Sequence, residues 1–141
     1  MQTDLLLEHT LKKRSPWAIR FYADGRVEEY SDQEMVFENN EIITRSLPLE
    51  WRPLTLLSAE ELEALKDAIR QSGILELPEK VGDAQRVRDG AVSEWYARLG
   101  GKEIRLTAWE PDASQHPGLK ELSVAIQTIT AAAFNRESDS D

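Results

Sequence analysis

The segment "AVSEWYARLGGKEIRLTAW", residues 91–109, restricts the fold more than any other part of the chain. Its two adjacent glycines favour a tight two-residue turn between two runs in which apolar and polar residues alternate. This register places apolar side chains on one face and oppositely charged or cation–π pairs on the other. It therefore predicts an antiparallel sheet with one buried face. The apolar pairs are Trp95 with Leu106 and Ala97 with Ile104, and the polar pairs are Arg98 with Glu103 and Tyr96 with Arg105.

The segment "WAIRFYADGRVEEY", residues 17–30, predicts a second hairpin around Gly25. A two-residue turn would pair Phe21 with Glu28 and so mix apolar and charged side chains on one face. A three-residue loop that ends with Gly25 in the left-handed conformation pairs Phe21 with Val27 instead. We expect this second register, because a slip of one residue inverts every side chain of a strand.

Three more segments before residue 57 add to the strand prediction. "LLLEHTL", residues 5–11, is predicted as a short strand. "EMVFENNEIITRS", residues 34–46, is predicted as a third hairpin, because its two central asparagines tolerate the positive φ of a tight turn. "LPLEWRPL", residues 47–54, contains two prolines and is predicted as an ordered connector along a sheet edge.

The stretch "LLSAEELEALKDAIRQSGILELPEK", residues 56–80, predicts a helix at about residues 59–72 with both ends specified. Ser58 and Glu61 have the spacing of a capping box, in which each side chain accepts from the other's backbone amide. Gly73 follows the last turn and favours a left-handed stop. All of these features specify structure, and none of them indicates chemistry.

A second amphipathic helix is predicted over "LKELSVAIQTITAAAF", residues 119–134, with Pro117 in its first turn. The fold class is therefore predicted as α+β, a two-layer sandwich in which an antiparallel sheet of hairpins carries both helices on one face. The 141 residues fit one domain. We place it at residues 1–134, followed by an acidic, disordered tail at 135–141. The apolar stripes are Leu62, Leu65 and Ile69 in the first helix and Leu119, Leu122, Ile126, Ile129 and Ala133 in the second.

The composition argues against several classes of function. The chain carries a net charge of -9 and no cysteine. The negative charge disfavours nucleic acid and anionic membranes as partners, and the lack of cysteine excludes disulfides, thiol catalysis and iron–sulfur clusters. The first residues lack the basic-then-apolar order of a secretory signal, and no run approaches the length of a membrane span. We expect a cytoplasmic protein without a cofactor.

Aromatic and arginine side chains on the polar face of the glycine-turn hairpin indicate a candidate interaction surface. Trp109 falls on the same face as Tyr96 and Arg105, a composition typical of binding hot spots. The alternative is that further strands, a loop or a second subunit cover this patch, and residues 32–57 could supply such a layer. Trp51 lies between two prolines, where it is either a lid over the core or an exposed anchor.

The two histidines offer little chemistry. Asp112 and His116 in "PDASQH" could place two metal ligands in one loop, but a site needs further ligands that no other spacing supplies. The alternative for His116 is an ordinary surface-loop histidine. His9 alternates with leucines and is predicted as a half-buried strand residue. The sequence contains no G-x-S-x-G, P-loop or H-E-x-x-H motif, so we assign no catalytic residue.

The order of "FYADGRVEEY", then "LSAEELEALKDAIRQSGILELP", then a hairpin and an acidic loop resembles a group of uncharacterised small bacterial α+β domains. Over about residues 17–109 this arrangement is also similar to the emfourin-like inhibitors of thermolysin-type metalloproteases. The resemblance implies a compact, non-enzymatic domain that binds a protein. It rests on turn and cap motifs and carries no inhibitory residue across, and residues 32–57 depart from the compact pattern.

We therefore expect a small, non-catalytic protein that acts through protein–protein contact or self-association. One rival hypothesis is a ligand- or metal-binding hydrolase-type domain that uses the Asp112/His116 loop, and another is a protease inhibitor. The expected interaction residues are Trp51, Tyr96, Arg105 and Trp109.

Overall fold

The computed structural model describes residues 5–12, 16–81, 92–109 and 116–139. Over these ranges the chain forms a seven-stranded sheet and two α-helices packed on it, which confirms the predicted α+β sandwich. The polar segment "GDAQRVRDG", residues 82–90, lies outside them. Neither helix in these ranges is long and apolar enough to cross a membrane. The elements are β1 (Leu5–Lys12), β2 (Trp17–Tyr22), β3 (Arg26–Glu38), β4 (Glu41–Leu56), α1 (Ala59–Ser72), a 3-10 turn (Ile74–Glu76), β5 (Lys80–Val81), β6 (Val92–Leu99), β7 (Lys102–Trp109) and α2 (Pro117–Asp139).

The first strand of the chain lies at the centre of the sheet, whose strand order is β4-β3-β2-β1-β6-β7-β5. β1 pairs antiparallel with its sequence neighbour β2 on one side and with the distant β6 on the other. This second pairing joins the first hairpin to the glycine-turn hairpin of β6 and β7. The short strand β5 runs parallel to β7 at one edge, and β4 forms the other edge.

All three predicted hairpins are confirmed, each with the expected turn. Gly25 has a φ of 95°, and Phe21 lies opposite Val27, as the three-residue loop requires. The β6–β7 hairpin has the predicted register around two glycines with φ values of 59° and 82°. The β3–β4 hairpin turns at two asparagines with φ values of 51° and 64°. Local turn chemistry therefore determines these registers.

The prediction of a connector at 47–54 was wrong, because this segment belongs to strand β4. Prolines are compatible with a strand at a sheet edge, where the missing N–H breaks no ladder bond, and Pro53 is paired opposite Glu28. The register shifts twice between β3 and β4. At the second shift the Arg52 guanidinium donates to the Ser31 carbonyl oxygen at 2.6 Å, which ties the two strands together.

The strands β3 and β4 extend beyond the rest of the sheet as a two-stranded ribbon. β2 pairs with β3 as far as Tyr30, whereas the β3–β4 pairing continues to the asparagine turn. Ile43 on this ribbon is 37% exposed, and Leu49 near its base is 40% exposed. Residues 32–57 therefore lengthen one edge of the sheet, and the described part of this segment adds no layer over the glycine-turn hairpin.

The helix ends follow the sequence prediction. In α1, the Ser58 hydroxyl accepts from the Glu61 N–H at 3.1 Å, and the Glu61 carboxylate accepts from the Ser58 N–H at 2.8 Å. Gly73, with a φ of 74°, ends the helix in the left-handed conformation. α2 begins at Pro117 as predicted and continues to Asp139, into the segment predicted as an acidic tail.

The hydrophobic core lies between the two helices and one face of the sheet, which we call the inner face. Of the predicted helix stripes, Leu62 is partly buried and all other members are buried. The helices approach closely where α1 ends, since a Cβ at Gly118 would collide with the Ser72 carbonyl oxygen. The strand residues of this core include Leu7, Ile19, Phe21, Val27, Trp95, Ala97, Leu106 and Ala108.

Candidate functional site: the outer face of the sheet

The side of the sheet that points away from α1 and α2 carries the predicted interaction residues. Successive side chains of a strand point to opposite faces, so the neighbours of the core residues define this second side. We call it the outer face. Its members are Glu8, Thr10 and Lys12 on β1, Ala18, Arg20 and Tyr22 on β2, Arg26, Glu28 and Tyr30 on β3, Trp51 on β4, Val92, Glu94, Tyr96 and Arg98 on β6, and Glu103, Arg105, Thr107 and Trp109 on β7.

Arg20 is the centre of an aromatic and ionic cluster on this face. Its guanidinium carbon lies 3.8 Å from the ring centroid of Trp51, and its Nε donates to the Glu8 carboxylate. The rings of Tyr30 and Trp51 are tilted against each other with centroids 5.3 Å apart. Burial alone lowers the pKa of Arg20, but the hydrogen bond and charge of Glu8 raise it on balance. The arginine is therefore charged and held in one position.

Tyr96 and Arg105 form a second cluster near the other side of the face. The guanidinium carbon of Arg105 lies 4.6 Å from the Tyr96 ring centroid, and the Tyr96 hydroxyl donates to the Glu103 carboxylate at 2.8 Å. Burial, followed by this bond to Glu103, raises the pKa of Tyr96 above its ordinary value. A shallow depression of ≈ 190 Å³ lies beside the ring, with Glu8 and Glu94 among its lining residues.

One row of cross-strand neighbours joins the two clusters. Its five members are successive Cα partners on β3, β2, β1, β6 and β7, and they comprise two glutamates, two arginines and one tyrosine. Cross-strand neighbours are close enough to order each other, so the row is a continuous polar surface. Its members, in order across the sheet, are Glu28, Arg20, Glu8, Tyr96 and Arg105.

The four predicted interaction residues all lie on the outer face, but only two of them touch. Tyr96 and Arg105 are in contact. Trp51 is on the edge strand four strands away from Tyr96, which corresponds to about 19 Å. Trp109 is half-buried opposite Val92 and four residues from Arg105, or about 13 Å along the strand. Trp51 is therefore half-buried on the outer face and is not a lid over the core.

Sequence reasoning missed the residues that connect these positions. Arg20 lies opposite Glu28, as the predicted register with Phe21 opposite Val27 requires. Its contacts with Glu8 and Trp51 depend on the neighbours of β2 and β3 in the sheet, which local patterns do not specify. The available signal was alternation, because Glu8 stands between Leu7 and His9 in a strand with one buried side.

The outer face is close to electrically neutral, although the chain as a whole carries -9. Several of its charges are paired on the face, including Lys12 with Glu94 at 2.8 Å and Glu8 with Arg20. The excess negative charge of the chain therefore lies elsewhere. The acidic members of the face are Glu8, Glu28, Glu94 and Glu103, and the basic members are Lys12, Arg20, Arg26, Arg98 and Arg105.

Of the two predicted metal ligands, only His116 lies within the described residues. Asp112 lies outside the described residues. The imidazole Nδ1 of His116 accepts a long hydrogen bond from the Leu119 N–H, at 3.4 Å, so this side chain caps the start of α2. In the described part of the chain, no group of three or more His, Cys, Asp or Glu side chains could hold a metal ion.

His9 lies on the inner face, between two tryptophans. Its ring stacks on Trp95, with centroids 3.7 Å apart and an interplanar angle of 11°, and meets Trp17 edge-on at 5.9 Å. Burial lowers its pKa from 6.5 to about 4, so the imidazole is neutral at physiological pH. The prediction of a half-buried strand residue is confirmed, and the ring is part of the core packing.

No protein-family model and no curated protein matches this chain. The resemblance to emfourin-like inhibitors stays a prediction, and so does the hydrolase-type hypothesis for the Asp112/His116 loop.

Proposed function

We propose that this protein is non-catalytic and acts through protein–protein contact made by the outer face, with a second copy of the chain as the partner. The observation that carries the proposal is the cluster in which Arg20 is held between Trp51 and Glu8 on a face that neither described helix covers. Arginine and tryptophan are the residues most enriched at the energetic centres of protein interfaces.

Pre-organisation of the face supports this proposal. Binding normally costs free energy, because mobile side chains must be immobilised at the interface. Here Arg20 and Arg105 are already held against aromatic rings, and the Tyr96 hydroxyl is bonded to Glu103. A partner would meet ordered side chains, so less of the interaction energy would be lost to ordering them.

The charge balance of the outer face supports a second copy as the partner. Two copies of a chain with a net charge of -9 repel each other over most of their surface. The outer face is the exception, because its carboxylates and its basic side chains are nearly equal in number. In a two-fold dimer the same patch faces itself, and a patch with both signs can place its cations opposite the partner's anions.

Sedimentation equilibrium across a concentration series tests this proposal. We expect wild type to dimerise, and we expect Trp51→Ala and Arg105→Ala each to weaken the dimer by about tenfold or more, as a hot-spot truncation does. Val124→Ala is the matched control, because Val124 is an exposed apolar residue on α2, 54% exposed and away from the outer face. A monomer at every concentration, or equal effects of all three substitutions, would contradict the proposal.

A further inference from the structure

An apolar groove lies on the helix side of the molecule, apart from the outer face. It separates the second half of α2 from strands β2, β3 and β4, and its volume is ≈ 330 Å³. This volume is within the range of small-molecule sites and corresponds to about ten non-hydrogen atoms, taking roughly 30 Å³ for each. Its apolar walls are formed by Trp17, Ile19, Leu54, Ile126 and Phe134.

Three polar side chains, Glu29, Gln127 and Thr130, interrupt these apolar walls. The Glu29 carboxylate lines the groove and is held there by the Trp17 indole, whose Nε1–H donates to Oε2 at 2.8 Å. A carboxylate has about four acceptor positions, so Glu29 can accept further bonds. Thr130 also lines the groove, and its hydroxyl oxygen is buried without a hydrogen-bond partner among the described residues. A buried polar atom without a partner is unusual in a folded protein and needs an explanation.

We propose that this groove binds a small lipophilic amine, that is, an apolar molecule with one protonated amino group. An ammonium group carries three N–H donors and no acceptor, so it matches the Glu29 carboxylate, which has free acceptor positions. Its charge complements the carboxylate, and the Trp17 ring beside it is a favourable surface for a cation. The hydrocarbon part then covers the apolar walls, which places each part of the ligand against matching chemistry.

The Glu29 carboxylate also discriminates against other small amphiphiles. A fatty carboxylate of equal length would bring a second negative charge next to Glu29 and is repelled. A neutral alcohol fills the apolar walls equally well and can donate one hydrogen bond to Glu29, but it lacks the positive charge that complements the carboxylate. Binding should therefore decrease in the order amine, alcohol, carboxylate.

Isothermal titration of the full chain at neutral pH with octylamine, octanol and octanoate tests this order. We expect one octylamine per chain, with affinity about tenfold or more above that of octanol, the scale of one charge-assisted hydrogen bond. We expect no measurable heat from octanoate. Equal affinities for octylamine and octanol, or no octylamine binding, would overturn the proposal.

Three variants locate the site. Glu29→Gln retains an acceptor for the Trp17 indole but removes the charge, so it should weaken octylamine by about tenfold and leave octanol unchanged. Thr130→Val is the nearly isosteric control, because the Thr130 hydroxyl oxygen is buried beside the groove, and it should leave octylamine binding unchanged. Ala131→Trp fills the groove from an exposed helix position and should abolish both ligands, with the unfolding temperature of the variant as the check on its fold.

The groove-filling variant also separates a specific site from general attraction. A chain with a net charge of -9 attracts any cation, and such binding would survive Ala131→Trp. If octylamine still binds to Ala131→Trp, the binding site lies elsewhere and the proposal is overturned. The same conclusion follows if Glu29→Gln lowers the affinities for octylamine and octanol by the same factor.

Discussion

The inner and outer faces of the sheet are built from alternate residues of the same strands, yet they are held together differently. On the inner face, Phe21 and Leu7 are fully buried against the helices and against each other. On the outer face the neighbouring residues form ion pairs, hydrogen bonds to carboxylates and cation–π contacts, as in the pairing of Arg20 with Glu8 and Trp51.

This difference separates stability from recognition. Apolar burial contributes most of the free energy of folding and depends on packing against the helices. Exposed ion pairs contribute little to stability, with typical values below about 1 kcal/mol. The outer face can therefore carry an ordered set of arginine and aromatic side chains whose main effect is on binding, while the inner face maintains the fold.

The largest expected effect contrasts two neighbours on β2. Phe21→Ala should lower the free energy of unfolding by about 3–5 kcal/mol, because Phe21 is fully buried in the core and its loss leaves a cavity. Tyr22→Ala, which removes a half-buried ring bonded to Glu28, should cost about 1 kcal/mol or less. Urea denaturation of both variants measures the contrast. Similar losses would show that the two faces contribute equally to stability.

The second effect concerns the contact between the helices. Gly118→Ala should destabilise by about 1–3 kcal/mol, because the added methyl group collides with the Ser72 carbonyl and forces α2 away from α1. Lys120→Ala, at an exposed position two residues further along α2, is the control and should be nearly neutral. A wild-type unfolding midpoint in Gly118→Ala would show that the two helices do not pack this closely.

A third effect is the pH dependence that His9 gives to the inner face. Its pKa falls from 6.5 in the unfolded chain to about 4 in the folded one, so between these values the unfolded chain binds more protons. Stability from this group is complete above about pH 6.5 and decreases as the pH falls toward 4, by about 3 kcal/mol in total.

Replacing His9 with a residue that cannot titrate separates this effect from the titration of the carboxylates in the same pH range. His9→Phe retains an aromatic ring against Trp95 but cannot titrate, so its stability should change less between pH 6.5 and pH 4.5 than that of wild type. The difference between the two urea midpoints, measured at both values of pH, reports His9 alone. Parallel pH profiles would mean that His9 is not kept neutral by burial.

The smallest effect is at the start of α1. Ser58→Ala removes the hydroxyl that accepts from the Glu61 N–H and should cost about 1 kcal/mol. Ser46→Ala, at an exposed position on the ribbon, should change stability by less than about 0.5 kcal/mol. Ser58 caps a helix and does not belong to the outer face, so Ser58→Ala should leave self-association unchanged in sedimentation. A weaker dimer in this variant would contradict the assignment of stability and binding to separate faces.

Features set by neighbouring residues could be predicted from the sequence. Gly25 and the two glycines at 100 and 101 specify their turns, and those turns fix which residues face each other. The capping box at Ser58 and the stop at Gly73 similarly fix the ends of α1. In each of these cases the deciding contacts lie within a few residues along the chain.

Features set by distant neighbours could not be predicted. The position of β1 between β2 and β6 depends on the complete sheet, so the contact between Glu8 and Arg20 could not be predicted from the sequence. The part of β4 at residues 47–54 was not predicted as a strand, because its two prolines indicate a connector when only neighbouring residues are considered. The prolines are compatible with a strand because β4 lies at the edge of the sheet. The register shifts that bring Trp51 over Arg20 have no local signal at all.

The outer face is where we propose that protein contact occurs, and the absence of cysteine from the chain allows a direct test. Thr10→Cys places a single thiol at the centre of the outer face, and Thr128→Cys places one on the exposed side of α2. The measurement is the rate of alkylation of each thiol as the protein concentration rises through the range in which the chain dimerises. We predict that the rate at position 10 falls with concentration while the rate at position 128 stays constant. If the rate at position 10 stays constant, or if both rates fall together, the outer face is not the contact surface.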